Sequence, residues 1–407
     1  MKTICFVVST FPNTSETFIV NQIIEAKRKG LKVKVLTYSL NPFKESSQEA
    51  LLNTYGIKED VLKYSNGIPN NKIKRFGLTL FYIIKFFKYL FKLDGVSFYD
   101  TFFIWPFKFE FYSKLKDIDI YHVQFAISGS DLALFISSGG SSSKLITTFH
   151  GFDAHFNDYE ELKSRQNRYN ILLKYSTFLT ANTKYLADKI ELLGGEKTKL
   201  KIIPMGIDVN YFKNEILKIL PEDKHINLIS VGRLIELKGF SYAIKSVKLL
   251  VDKGFDVIYT IVGDGVEFNN LRALILELKL GNNVYLIGKK NQSELKELYN
   301  KNHVFLMSSI TDSNNRAEAQ GVVTAEAQAM GLPIVAFNSG GVSYTIQDKE
   351  TGFLVEEKNI KSYAYAIEKI ITDEILYKEM SKSAINFVKK NFSNEHSSQE
   401  FIKLYND

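Results

Sequence analysis

Cysteine is almost absent. The 407 residues hold one, Cys5, so no disulfide can form within the chain, as expected for a reducing compartment. Cys5 sits inside the first apolar run and reads as core rather than as a nucleophile. No apolar run comes near the roughly 20 residues needed to span a bilayer. The opening Met-Lys-Thr-Ile-Cys-Phe-Val-Val-Ser is too short and too soon polar for a secretory signal. The six histidines are scattered, with no pair at metal-ligand spacing, so neither a metal site nor a cofactor is expected. Repeats and low-complexity tracts are lacking too. These absences describe a cytoplasmic globular protein.

The chain is too long for one ordinary domain and suits two of about 200 residues. Its charge is unevenly shared. Residues 1–204 carry 28 Lys and Arg against 19 Asp and Glu, whereas residues 205–407 carry 24 against 26. Such asymmetry suggests a partner for the first half. The densest basic stretch, Lys72 to Lys92, holds Lys72, Lys74, Arg75, Lys85, Lys88 and Lys92 and no acid. Lys85, Lys88 and Lys92 share a helical face, with Phe81, Tyr82, Ile84, Phe86, Phe87 and Phe91 filling much of the rest. This segment fits a helix lying in an anionic membrane surface, at the inner face of the cell membrane. It equally fits a buried helix with a solvated lysine stripe. Nucleic acid fits less well, because no nucleic-acid-binding motif is present.

Strand-like runs alternate with amphipathic stretches throughout. Strands are expected at Ile4–Val8, Val33–Thr37, Ile118–Val123, Leu145–Phe149, Phe178–Ala181 and Lys201–Ile203. In the second half they are expected at Leu228–Val231, Val257–Val262, Val284–Ile287, Val304–Met307, Ile334–Phe337 and Gly352–Val355. Such alternation implies an α/β chain with two doubly wound parallel sheets, each covered on both faces.

Two stretches of the second half carry chemistry. Glu318 and Glu326 flank the start of an Ala- and Gly-punctuated helix opening at about Gly321 and continuing through Val322 and Val323. The first N–H groups of a helix lack internal partners and sit at its positive end, so they attract phosphate. Gly321, having no Cβ, lets an anion approach closely. Two carboxylates there would repel phosphate, so neutral hydroxyls of ribose and a sugar are their natural partners. Upstream, Gly232, Arg233 and Lys238 follow the strand ending at Val231, at the sheet edge where α/β proteins bind ligands. An Arg fork and a Lys point charge in one loop suit a diphosphate.

Gly-Arg-Leu-x-x-x-Lys-Gly at 232–239, followed by Glu-x7-Glu-Ala-x-Ala-x-Gly-x-Pro at 318–333, resembles the signature of family-4 retaining glycosyltransferases. Ser9–Ile19 resembles the opening of the bacterial exopolysaccharide subgroup of colanic acid and amylovoran type. Thr148–Asp153 resembles that group's central motif, and Pro204–Phe212 its interdomain segment. The resemblance implies the GT-B fold, two facing Rossmann-like domains: 1–205 on the acceptor side, 206–385 binding the nucleotide sugar, and a helix at 386–407 packing back on the first domain. It implies transfer of a hexose or N-acetylhexosamine from a nucleotide sugar, with uridine the commonest base, to a lipid-linked or other glycan acceptor of a bacterial surface polysaccharide. Configuration is retained and no metal is used. His150 then contacts the donor sugar, Arg233 and Lys238 hold the leaving diphosphate, Glu318 the sugar and Glu326 the ribose. Ser15, Glu16 and Thr17 stand where many relatives carry a Gly-Gly loop; they are expected to face the acceptor or, for Ser15 and Thr17, to cap the next helix. Tyr344 stands where relatives usually carry glutamate, and Thr311–Arg316 leads to Glu318 as a loop shaping sugar choice.

Competing readings are few. Gly263-Asp264-Gly265 resembles a dinucleotide fingerprint, but Phe268 replaces the third glycine. Asp117-Ile118-Asp119 resembles a metal-binding Asp-x-Asp, yet it precedes its strand and so enters at the wrong sheet edge. A GT-B sugar-nucleotide epimerase, a glycan phosphorylase and a non-catalytic nucleotide-binding membrane adaptor remain as alternatives.

Overall fold

The computed structural model describes residues 2–13, 16–46, 48–115, 117–214 and 216–407. The chain divides into two units: Met1–Ala181 with Leu186–Ile203 and Glu400–Asp407, and Asn182–Tyr185 with Pro204–Gln399. The division at the carboxyl end falls within the helix Asn394–Asn406, not at residue 386.

The first unit is a parallel sheet of seven strands: β1 (Thr3–Phe11), β2 (Lys32–Leu40), β3 (Val61–Lys63), β4 (Ile120–Gln124), β5 (Lys144–Thr148), β6 (Phe178–Ala181) and β7 (Leu200–Ile202). Their order is 3-2-1-4-5-6-7. Order reverses between β1 and β4, so the loops at their carboxyl ends diverge and leave a crevice there. Apolar clusters cover both faces. On one, Val7, Tyr121, Leu145 and Leu179 pack against Phe109, Phe135 and Leu172. On the other, Ile4, Phe6 and Ile146 pack against Ile19, Ile23 and, from the terminal helix, Phe401 and Tyr405. Burial pushes the Cys5 thiol up to about 12, so it stays a core thiol.

The second unit repeats the plan with six parallel strands: β8 (Ile226–Val231), β9 (Val257–Val262), β10 (Val284–Leu286), β11 (Val304–Met307), β12 (Ile334–Phe337) and β13 (Gly352–Val355), ordered 10-9-8-11-12-13. Its switch point lies between β8 and β11. Gly263, at φ +145°, ends β9 beside the next loop, where a Cβ would lie 1.8 Å from the Gly232 carbonyl oxygen. This glycine therefore serves a close packing of two backbone loops.

Two local differences from the sequence reading have simple causes. β3 was not expected, because an edge strand of three residues is too short to show periodicity. The strand expected from Ile118 begins at Ile120 because Asp117 is left-handed (φ 62°) and the Asp119 carboxylate accepts the Thr3 N–H at 2.7 Å.

The helix Lys72–Leu90 buries only Thr79, Phe86 and Leu90. The buried-helix reading of this segment is therefore corrected: Ile73 is 86% exposed, Ile84 78%, and Phe76, Phe81 and Phe87 more than half. The following helix, Phe98–Phe103, buries no residue, and Phe98 is 76% exposed. Among the described residues no helix is long and apolar enough to cross a membrane.

His122 lies fully buried in β4 and burial, then the neighbouring His150, holds its imidazole down to about 3; burial holds His303 down to about 4. Both are neutral when folded but bind a proton near pH 6.5 when unfolded. Their contribution to stability is therefore complete above pH 6.5 and falls as the pH drops below it, by up to about 1.4 kcal/mol per pH unit from His122 alone. Glu326, whose carboxyl burial raises to about 7, acts in the opposite sense as the pH falls through 7, so the His122 share is read against a His122→Asn variant. From pH 7.5 to 5.0 the wild-type urea midpoint should keep a constant offset from the variant's above 6.5 and fall relative to it below; a constant offset throughout would contradict a buried neutral imidazole.

Candidate active site

In the second unit, β8 delivers its chain at Val231 into the loop that carries Arg233 and Lys238. Gly239 is left-handed (φ 58°) and starts the helix Phe240–Asp252. Its tight passage is fastened to the end of β11: Ser308 donates its hydroxyl to the Lys238 carbonyl at 2.9 Å, and Ile310 N–H reaches the Leu237 carbonyl at 2.8 Å. The Lys238 stem lies against Gly232, and a Cβ on Gly232 would come within 3.3 Å of its Cε.

Lys238 Nζ lies 2.5 Å from Glu318 Oε2, with both side chains mostly buried. Glu318 in turn lies on Gly321, whose position for a Cβ is 3.5 Å from Glu318 Cγ. Gly321 is left-handed (φ 78°, ψ 63°) and precedes the helix Val322–Ala329, with Val322 and Val323 half-buried in its first turn. Thus Gly232, Lys238, Glu318 and Gly321 come together at the carboxyl edge of one sheet. Arg233, in the same loop as Lys238, is exposed and makes no hydrogen bond or ion pair with the described residues.

Glu326 lies one turn into the same helix. It accepts a hydrogen bond from the buried Tyr299 hydroxyl at 3.0 Å, and burial pushes its carboxyl up to about 7. Tyr299 has no counterpart in the sequence reading, since a tyrosine inside a helix 27 residues away gives no sign of its partner.

The Ala317–Gln320 segment is locked from several sides. Gly341 N–H donates to the Glu318 carbonyl at 2.7 Å and the Thr183 hydroxyl to the Ala319 carbonyl at 2.8 Å. Gln320, fully buried, exchanges two hydrogen bonds with the Met205 backbone at 2.8 and 2.9 Å. Tyr344 is exposed. The Thr311–Arg316 loop is held by its own charges: despite burial, Arg316 and backbone N–H groups keep the Asp312 carboxyl below its usual range. Glu236 and Glu357 accept hydrogen bonds from Ser313 and Thr311.

In the first unit, His150 stands just beyond β5. Its Nε2 is 2.8 Å from Gln124 Oε1, and its ring lies between Phe18 and Phe125 at centroid distances of 4.6 and 4.5 Å. Burial holds the imidazole down to about 3, so it is neutral at physiological pH. Asp153 fixes the loop. One of its oxygens accepts the His150 and Gly151 N–H groups, and the other accepts the Ala126 N–H, all at 3.0 Å. Burial raises its carboxyl while those amides oppose the rise. Asp153 thereby ties the end of β5 to the end of β4, where Phe125 takes the strained φ of 67°.

Glu16 and Thr17 lie at the carboxyl end of β1, whereas Ser15 is outside the described residues. Thr17 is the first helical residue of Thr17–Arg28, so the expectation that it caps this helix is corrected. The cap position is Glu16, which makes no capping side-chain bond; its carboxylate accepts from Asn13 at 3.0 Å.

Known protein families match both halves of the chain. Residues 15–211 match Glycosyltransferase Family 4 and residues 212–387 match Glycosyl transferases group 1. The putative colanic acid biosynthesis glycosyltransferase WcaL of Escherichia coli K12 is 27% identical over 289 residues, 70% of each chain. The amylovoran biosynthesis glycosyltransferase AmsK of Erwinia amylovora is 25% identical over 367 residues, 88% of each chain. In fold, Anabaena HepE, solved in complex with UDP, superposes with a TM-score of 0.72 at 18% identity over the whole of both chains. With both halves matched, and its two Rossmann-like sheets those of GT-B proteins, the chain belongs to the family-4 glycosyltransferases, alongside those of bacterial exopolysaccharide synthesis.

Proposed function

We propose that the chain transfers a hexose or N-acetylhexosamine, with retention of configuration and without a metal, from a uridine-linked nucleotide sugar to a lipid-linked glycan acceptor. The work is done at the cytoplasmic face of the membrane, in surface polysaccharide synthesis. The observation that carries this reading is the Lys238–Glu318 pair seated on Gly321, with Arg233 exposed in the same loop as Lys238. An incoming diphosphate offers Lys238 two negative centres in place of one, and Glu318 becomes available to sugar hydroxyls. The uridine assignment draws on HepE, solved with UDP, and the acceptor on the polysaccharide enzymes to which the chain is similar.

The chemistry follows from where charge develops. As the bond between the anomeric carbon and the phosphate oxygen breaks, the electron pair moves onto the diphosphate. Arg233, Lys238 and the N–H groups of Val322 and Val323 face that growing charge and stabilise it. The acceptor hydroxyl attacks the same face, its oxygen bonds to the anomeric carbon, and its proton passes to the departing phosphate oxygen. Cationic side chains and a helix terminus thus do what a divalent ion would otherwise do. His150, neutral, meets the donor sugar, while Glu16 and Thr17 face the acceptor side.

The Lys72–Leu90 and Phe98–Phe103 helices supply the membrane contact. Their exposed Ile73, Phe76, Ile84, Phe87 and Phe98 can enter the interface, and Lys72, Lys74, Arg75 and Lys88 meet anionic headgroups.

Alanine at Arg233 or Lys238 should lower turnover on the order of 10²-fold, by analogy with lost oxyanion donors. Nucleotide release measured with a uridine-linked sugar and a glycan acceptor tests this; near-normal rates in both variants would remove the assignment. Epimer formation without acceptor, or phosphate-dependent release of sugar phosphate, would favour the alternative enzymes instead.

Glu326 accepts ribose hydroxyls more strongly when ionised, with both oxygens as acceptors, and in the free protein it takes up a proton near pH 7. The affinity for uridine diphosphate should therefore weaken as the pH falls from 7.5 to 6. Glu326→Gln should bind more weakly at high pH and lose this component of the pH dependence. Parallel titration curves for the two proteins would count against ribose binding at Glu326.

Flotation with phosphatidylglycerol vesicles at low salt should carry the wild-type protein. A double Ile84→Asp, Phe87→Asp variant, changed only at exposed positions, should stay behind. Equal flotation of both would exclude this surface.

A further inference from the structure

The core of the first unit holds a chain of polar side chains that runs from the terminal helix to His150. Its members are fully or nearly fully buried, apart from the half-buried His150: Tyr405, His122, Thr148, Thr180 and Gln124. The Tyr405 hydroxyl is 2.7 Å from His122 Nδ1. His122 Nε2 is 2.7 Å from the Thr148 hydroxyl, which is 2.6 Å from that of Thr180. Gln124 Nε2 is 3.3 Å from His122 Nε2 and donates to Gln22 Oε1 at 2.8 Å. Gln124 Oε1 is 2.8 Å from His150 Nε2.

Proton placement along this chain follows from the orientation of the Gln124 amide, whose Nε2 faces both Gln22 Oε1 and His122 Nε2. An amide nitrogen only donates, so the Gln124 Nε2 facing His122 Nε2 requires a lone pair on that ring nitrogen. The His122 proton then resides on Nδ1 and is donated to the Tyr405 oxygen, and the Thr148 hydroxyl also donates towards Nε2. With its nitrogen turned to His122, Gln124 presents its oxygen to His150. That oxygen only accepts, so His150 carries its proton on Nε2. Its Nδ1 is left as a bare lone pair, enclosed and without a hydrogen-bond partner among the described residues.

We propose that Tyr405 is a positioning residue for transfer: through His122 and Gln124 it holds His150 as a neutral ring whose Nδ1 can only accept, ready for a hydroxyl of the donor sugar. This rests on the reading that His150 meets that sugar. Without the Tyr405 oxygen, the Nδ1–H of His122 loses its acceptor and the ring favours the other tautomer. Its Nε2–H then confronts the Gln124 nitrogen, the amide turns over, and the His150 proton moves to Nδ1. A sugar hydroxyl would meet a donor where it needs an acceptor. The terminal helix thus affects the reaction through proton placement as well as through packing.

The test uses the full-length protein labelled with ¹⁵N in histidine, with Tyr405→Phe as the probe. Phe401→Leu serves as a packing control, because Phe401 touches the His122 ring at 5.1 Å between centroids and is an apolar neighbour only. Nitrogen shifts should report His150 as the Nε2–H tautomer in the wild type and in Phe401→Leu, and as a mixture or the Nδ1–H form in Tyr405→Phe. Turnover should fall about 10-fold in Tyr405→Phe, the scale of one lost hydrogen bond, and change little in Phe401→Leu. An unchanged His150 tautomer in Tyr405→Phe would overturn the relay. A changed tautomer with unchanged turnover would leave the relay standing but remove His150 from the sugar, and with it the positioning role of Tyr405.

Discussion

A diphosphate cannot rest beside two carboxylates unless their charge is answered, and the second unit answers each one differently. Glu318 is matched by Lys238 at 2.5 Å in a mostly buried pair. Glu326 is muted by burial, which brings its carboxyl to about 7, and by the Tyr299 hydroxyl. Much of the surrounding architecture keeps this arrangement in register. Ser308 holds the Lys238 backbone, Gly341 holds that of Glu318, and Gln320 joins the same segment to Met205. A mostly buried ion pair is weak as a source of stability because both ions are desolvated. Under the proposed function, its presence at a sheet edge is readiness for a third charged group.

The first unit solves a different problem. Its central strands β4 and β5 place His122, Gln124 and Thr148 inside an otherwise apolar core. Unpaired, such groups would be costly; linked into one chain they favour one arrangement of protons over others. Asp153 adds a second fixed point by joining the ends of β4 and β5 through three backbone amides. The outcome is a rigid, neutral His150 at the carboxyl edge of the sheet. The apolar face of Lys72–Leu90 stands apart from this order. It exposes more hydrocarbon than a solvated helix ordinarily does, with cations interspersed, and under the proposed function it is the part of the chain that meets lipid.

Much of this was legible in the residues. The alternation of branched apolar runs and amphipathic stretches identified parallel sheets covered on both sides, because strands buried on both faces must be almost continuously apolar. Arg233, Lys238, Glu318, Gly321 and Glu326 were recognisable as one constellation, and of these the structure shows Lys238, Glu318 and Gly321 in contact, with Gly232 beneath the Lys238 stem. Less legible were contacts made across long sequence separations. Tyr299 meets Glu326 from another helix, and Tyr405 meets His122 across 283 positions. The Lys72–Lys92 segment read equally well as buried or exposed, since periodicity says which residues share a face but not what that face meets.

The amino-acid order alone determined the fold class, the position of the loop that carries Arg233 and Lys238, and the exclusion of a disulfide within the chain, because each depends on local pattern and residue type. Tertiary structure decided which charge answers which, which polar groups surround His122 and His150, and which apolar face stays uncovered. Those are properties of desolvation and of distances between remote side chains, and neither exists until the chain has closed on itself.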